Sequence, residues 1–286
     1  MPSPRPEQPR LRLKDRRRRL QWIKVAAGAS VVALALGGIF YVAHLPAVTI
    51  SHVVVSGTVL APTDGIQTLV EQDIAGSYGF LLPRANALLV PVKTIEKGIE
   101  AAYPPVASVA ISIENFHTLH VAIAERKTAA VWCAGVPTGE ISADGNTATS
   151  SASSNAAPQC YLMDQSGFIF AAATDTAAYE SYYGAVSGNP IGATYLAGGF
   201  ASLKATVDGV GASISQTPTE VLVDNNLTDV SMALAGGGVV RFTRSTDTQS
   251  TITNIASVFA SQSFVDHPQF EYADFRFGDK VYVKFK

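Results

Sequence analysis

The sequence predicts an α+β protein held by a single transmembrane helix, and three observations carry that reading. Between Val25 and Leu45 lie 21 residues without Asp, Glu, Lys or Arg. After Pro46, two helical periods are flanked by runs rich in Val and Ile that alternate with a period of two. From Thr128 onwards, short strand-like runs alternate with turn signals and two further helical periods. At 47% hydrophobic and 15% charged, the 286 residues are too apolar for a disordered chain.

The first 24 residues form a basic arm. Met1 to Lys24 carries nine Lys and Arg against Glu7 and Asp15, a balance of +7, so the formal net charge of −2 leaves −9 for the remainder. An acidic main body repels phosphate, which argues against a protein that coats nucleic acid. At 1.5 Å per residue the run 25–45 makes roughly 30 Å of helix, one bilayer core. A cleaved signal peptide is the rival, but its apolar region runs about 7 to 15 residues after a short leader, and Pro46 stands where a cleavage site would fall. The cluster Arg16–Arg19 with Lys24 places the N-terminus in the cytoplasm and the rest outside. Trp22 and Tyr41 stand near the two interfaces. Ala29, Ala33 and Gly37 recur every four residues, a smooth stripe suited to helix packing, although such residues are common in any span.

The segment 47–126 reads as strand, helix, helix, strand, strand. Ile50–Ser56 is a Val/Ile run that stops at Gly57. Ile66, Leu69, Val70 and Ile74 follow a helical period, with Thr63 or Asp64 as the cap and Gly76 as the stop. Pro91 opens a second helix carrying Val92, Ile95 and Ile99, which Pro104-Pro105 ends. Val109, Ile111 and Ile113 then share one strand face, and after a turn at Asn115-Phe116-His117 so do Leu119, Val121 and Ile123.

The segment 127–286 reads as a β domain with flanking helices. Cys133 follows a strand with Trp132, and 134–159 is a flexible Gly/Ser/Ala/Thr/Asn loop. A hairpin over Cys160–Ala172 turns at Gln165-Ser166-Gly167. A helix is expected at 199–211, strands at 220–224, 228–234 and 239–243, and a helix capped by Asp247 through Phe259. The closing strands 270–277 and 280–285 are joined by Gly278-Asp279, a pair suited to a type II′ turn. Outside the cytoplasm a bond between Cys133 and Cys160 is permitted, and two free thiols are the alternative.

These residues, in this order, resemble the FtsQ/DivIB family of bacterial cell-division proteins. The resemblance rests on the arm, the span, the strand near Ile50, the stretch PVASVAISIENFHTLHVAIAERKTAAVW, the pair CYLMDQSGFIF around a D-x-x-G turn, and the closing YADFRFGDKVYVKF. It implies a polypeptide-transport-associated (POTRA) domain over 47–126 and a curved antiparallel β domain over 127–286. It also implies a non-enzymatic scaffold in the bacterial inner membrane at the division septum, without cofactor, metal, nucleic acid or small-molecule substrate. The implied partners are single-span division proteins of the FtsL and FtsB/DivIC types, added to an exposed strand edge. Arg276 and Phe277, with Tyr282 and Phe285, are the residues this points to. A terminal hairpin with free backbone groups and aromatic and arginine side chains suits such a role on physical grounds as well. The bland alternative makes Phe275 and Phe285 core and Arg276 a solvated neighbour.

Enzyme signals are weak. His117 and His120, three apart on a strand, face opposite sides and cannot share an ion. Ser166 lacks the G-x-S-x-G elbow, and Asp164 shapes a turn. Glu125-Arg126 suggests a local ion pair. The rival functions are a POTRA-bearing chaperone for export or envelope assembly and an anchored hydrolase. The chaperone usually carries a membrane barrel, whose amphipathic strands are missing here.

Overall fold

The structure, a computed structural model, describes residues 13–79, 81–135, 137, 141, 159–244 and 247–286. It is α+β, with one long apolar helix near the N-terminus and a large mixed sheet. The chain divides into two compact units, one comprising the residues up to Ile99 together with Ser108–Ile123, the other Glu100–Ala107 with Ala124–Lys286.

In the first unit, helix α1 (Leu13–Ala43) contains a stretch, Arg18–Ala43, long and apolar enough to cross a membrane, and its most apolar 18 residues have mean hydropathy 2.1. The helix departs from the expected 25–45 at both ends. It extends into the basic arm because Leu13–Lys24 holds neither Gly nor Pro and is rich in strong helix formers. It stops at Ala43 because Leu45 precedes Pro46, and the proline ring disfavours helical geometry there; Leu45 is extended, with ψ 132°.

Strand β1 (His52–Ser56) leads to α2 (Thr63–Ile74), whose N-cap is Pro62 rather than Thr63 or Asp64. Both predicted caps lie inside the first turn, where the Asp64 charge still favours the helix dipole. A short hairpin that no periodicity announced, β2 (Ser77–Tyr78) with β3 (Leu82–Pro83), precedes α3 (Val92–Ala102), β4 (Val106–Glu114) and β5 (Thr118–Glu125). The sheet order is β1-β5-β4, with β1 parallel to β5 and His52 opposite Thr118. Ile66 and Val70 of α2, Ile95 of α3 and Leu119 and Val121 of β5 are fully buried, so the helical and strand periods converge on one core.

Among the described residues the second unit carries nine strands in one sheet. They are β6 (Ala130–Cys133), β7 (Cys160–Met163), β8 (Ile169–Ala172), β9 (Ser181–Tyr183), β10 (Pro218–Val223), β11 (Asp229–Leu234), β12 (Val239–Thr243), β13 (Phe270–Phe277) and β14 (Lys280–Phe285). Helix α4 (Phe200–Ser213) lies between β9 and β10 in sequence, and α5 (Thr248–Phe259) and α6 (Gln262–Asp266) between β12 and β13. The order is β14-β13-β12-β11-β10-β9-β6-β7-β8. The expectation of an antiparallel domain fails here: β9 runs parallel to β10 and β6, and β12 parallel to β13. For β9–β10 and β12–β13 the helices are the reason, because a helical crossover returns the chain to the same end of the sheet, whereas β9 comes to lie parallel to β6 after the β7–β8 hairpin, with no helix among the described residues between them.

Cys133 and Cys160 are register partners on β6 and β7 and are joined by a disulfide. Of the predicted loop 134–159, most lies outside the described residues; within it Ile141 is buried against Ala233 and Val239. Tyr182, Tyr195 and Phe200 form an edge-to-face aromatic group in the core, with centroids 5.1 to 6.4 Å apart.

The D-x-x-G turn shows why its residues are needed. Asp164 Oδ1 accepts from the backbone N–H groups of Ser166 and Phe168 and from Ser166 Oγ. Gly167 takes φ +86°, and a Cβ there would fall 2.4 Å from the Tyr195 carbonyl oxygen. The acidic partner of Arg126 is Asp164, at 2.7 Å, and the guanidinium also donates to the Pro104 carbonyl and covers the Phe168 ring. Burial alone would raise the Asp164 pKa, but its hydrogen bonds from Ser166, Arg126 and Phe168 outweigh that and hold it below the usual range.

Candidate functional site: the terminal strand edge

The last hairpin is built as its sequence requires. Phe277 faces Lys280 across the two-residue turn, and Gly278 takes φ +65°, open to glycine at no steric cost. Among the described residues β14 has a hydrogen-bonded neighbour on one side only, so its outer edge presents backbone donors and acceptors to solvent. Strand β8 ends the sheet at the other side but has four residues against the six of β14.

Burial alternates along β14. Lys280, Tyr282 and Lys284 are exposed, whereas Val281, Val283 and Phe285 are half-buried. The four residues singled out from the sequence therefore separate. Phe285 packs edge-to-face on Phe264 at 5.2 Å and lies against the main core, where it fastens the strand. Phe277 and Tyr282 are 54% and 52% exposed and meet edge-to-face at 5.1 Å, making an aromatic pair on the surface.

Arg276 sits beside that pair, 5.8 Å from the Phe277 ring, but its guanidinium is engaged within the sheet. Nη2 donates to Asp274 Oδ2 at 2.7 Å, Nε to Asp274 Oδ1 at 3.0 Å, and Nη1 to Asp229 Oδ2 at 2.8 Å. Asp274 is buried at 4% exposure. Burial would raise its pKa, yet the hydrogen bonds from Arg276, the Arg276 charge and the Arg241 charge overcome this and keep the carboxyl below the usual range. Sequence reasoning missed Asp274 and Asp229 as the residues that orient Arg276. Asp274 stands two before Arg276, the same-face spacing of a strand, and was legible; Asp229 is 47 residues away and was not.

A cleft of about 470 Å³ opens beside the hairpin turn, lined by Thr251, Asn254, Val258, Phe275 and Val281. It lies next to the free edge, and its lining is mixed, with Thr251 and Asn254 beside the half-buried Val258, Phe275 and Val281.

The other candidates lie elsewhere. Ala29, Ala33 and Gly37 are all exposed on α1, and a Cβ added at Gly37 would meet no atom within 4 Å. His117 Nδ1 lies 3.1 Å from the Thr49 carbonyl oxygen, whereas His120 Nε2 pairs with Glu114 at 2.8 Å, so the two rings have separate partners. Ser166 Oγ donates to Asp164, its own turn residue. Among the described residues no group of three or more His, Cys, Asp or Glu is placed to hold a metal ion. No family model matches the chain, and a search of curated proteins finds no match either.

Proposed function

We propose that this protein is a bitopic scaffold of the bacterial cell-division machinery, anchored by α1 with its N-terminus in the cytoplasm, and that it holds small single-span division proteins of the FtsL and FtsB/DivIC types. In this reading the first unit is a POTRA domain and the second the family's β domain. The observation that carries the proposal is the six-residue edge of β14, unpaired on its outer side among the described residues and flanked by the exposed Phe277–Tyr282 pair. A partner segment would extend the sheet there by main-chain hydrogen bonds, with the aromatic pair and the neighbouring cleft supplying selectivity. The basic arm ahead of the helix supports the orientation. The disulfide fits an oxidising compartment for the second unit.

Fluorescence localisation of the full chain, tagged at its N-terminus, tests the division role in dividing cells of its source. A mid-cell band before constriction is expected, and an even peripheral signal throughout division would defeat the proposal. Photo-crosslinking from Tyr282 tests the edge: a covalent adduct with a small single-span protein is expected, and it should be lost when a probe is placed instead at Glu220, in the interior of the sheet.

A further inference from the structure

We infer that the apolar groove at the external end of α1, and the loop that faces it, form a lipid-contact surface that seats the first unit on the outer leaflet. The inference rests on the reading of α1 as a membrane span, and on no part of the division role.

The loop is fastened to the helix end. Asn86, only 2% exposed, donates from Nδ2 to the Ala43 carbonyl at 3.0 Å and so satisfies a carbonyl that the last helical turn leaves open. Its Oδ1 accepts from the Leu88 N–H at 2.9 Å. Ala87 N–H donates to Val48 O, and Ile50 N–H to Ala85 O, each at 2.8 Å. These bonds hold residues 81–89 at the level where α1 ends.

Between loop and helix lies a groove of about 470 Å³, walled by Ala35, Ile39 and Val42 on one side and Leu82, Leu88 and Leu89 on the other. Ala35 stands eight residues before Ala43, roughly 12 Å deeper along the helix axis. A groove whose wall descends that far into the span opens to hydrocarbon, and only an apolar occupant suits it. Its reach of about two helical turns matches the upper part of an acyl chain, not a helix that runs the whole span.

The rim is apolar too. Leu81 is 63% and Leu88 69% exposed. The β4–β5 hairpin tip lies beside the same exit, since Ser51 N–H donates to His117 O at 2.8 Å and His117 Nδ1 contacts Thr49 O. That tip carries Phe116, 51% exposed and at φ +60°, a backbone region that bulky aromatics seldom adopt. The turn needs no aromatic there, whereas a membrane interface does favour one. Arg84 lies over the Tyr78 ring at 5.2 Å, and its Nε is buried without a hydrogen-bond partner among the described residues. A basic–aromatic pair of this kind suits the headgroup layer.

The test uses the full chain in vesicles of phosphatidylcholine and phosphatidylglycerol whose acyl chains are brominated near the headgroup in one set and near the bilayer centre in another, the second set reading the position at Leu34. Both native cysteines are disulfide-bonded, so a single introduced thiol takes the environment-sensitive dye. Dye is placed at Leu88→Cys, at Phe116→Cys, at Leu34→Cys within the span, and at Val59→Cys, beyond the far end of β1. Quenching at Leu88 and Phe116 at least threefold stronger than at Val59, with a blue-shifted emission, is expected. Quenching at Leu34 without quenching at Leu88 and Phe116 would overturn the inference and leave the span standing. No quenching at Leu34 would overturn the span itself, and the inference with it. A blue shift at Leu88 that disappears on tenfold dilution with lipid would assign the groove to a second copy of the chain and overturn the lipid assignment.

Discussion

Replacing Arg276 with alanine should destabilise the second unit, although the residue stands beside a surface proposed for partners. The substitution removes the three side-chain hydrogen bonds to Asp274 and leaves that residue, at 4% exposure, charged and without its main counter-ion. Breaking a buried ion pair from one side costs about 3 kcal/mol at the lower end of measured cases. The Asp229 contact adds little, because that carboxylate is 37% exposed. For a unit of roughly 170 residues, such a loss lowers Tm by about 6–12 °C. Trp132 is buried in this unit, so its fluorescence in the full chain, held in detergent, reports the transition. Two controls follow from the same physics. In the Arg276→Ala background, Asp274→Asn removes the buried charge and should recover more than half of the loss. The folded-state pKa of Asp274 is depressed, so its stabilising contribution is complete above the unfolded value of about 4 and is lost as pH falls through the folded value. The gap between wild type and Arg276→Ala should therefore narrow below about pH 4. A melt of Arg276→Ala within about 2 °C of wild type at pH 7 would refute the argument and return Arg276 to the surface as a contact residue.

Phe277→Ala and Tyr282→Ala, by contrast, truncate side chains that are half-exposed; each should leave the melt within about 0.5 kcal/mol of wild type, and the pair should weaken capture of a partner at least tenfold in a pull-down with the full chain. Replacing Cys133 and Cys160 together with serine opens a closure spanning 27 residues and should cost up to about 3.5 kcal/mol, read as a lower urea midpoint that reductant reproduces in the wild type. Gly167→Ala forces a Cβ into the Tyr195 carbonyl at a positive φ, and should cost more than about 2 kcal/mol by the same fluorescence melt.

How much of this was legible in the sequence depended on the range of the cause. Runs with a local cause were readable. The uncharged stretch before Pro46 marked the long helix, and Asp247 does cap α5, accepting from Ser250 N–H at 3.0 Å. The closing strands fall at 270–277 and 280–285 around Gly278-Asp279, because a two-residue turn and a period of two are written in adjacent residues. The α+β class follows from the same local periods.

Only the tertiary structure decided which elements meet. Short strand β9 has no periodic signature, yet it sits between β10 and β6 and, with the α4 and α5–α6 crossovers, makes the sheet mixed. That order, and not the β14 sequence, leaves the terminal edge open. Arg276 could be named from its motif, but its engagement with Asp274 and Asp229 depends on β13 and β11 lying either side of β12. Arg126 finds Asp164, 38 residues on, and Asn86 reaches Ala43, 43 residues back. Composition and period set what each segment can become, whereas register and burial choose partners across long stretches of chain, and a polar side chain acquires its role from the partner it finds there.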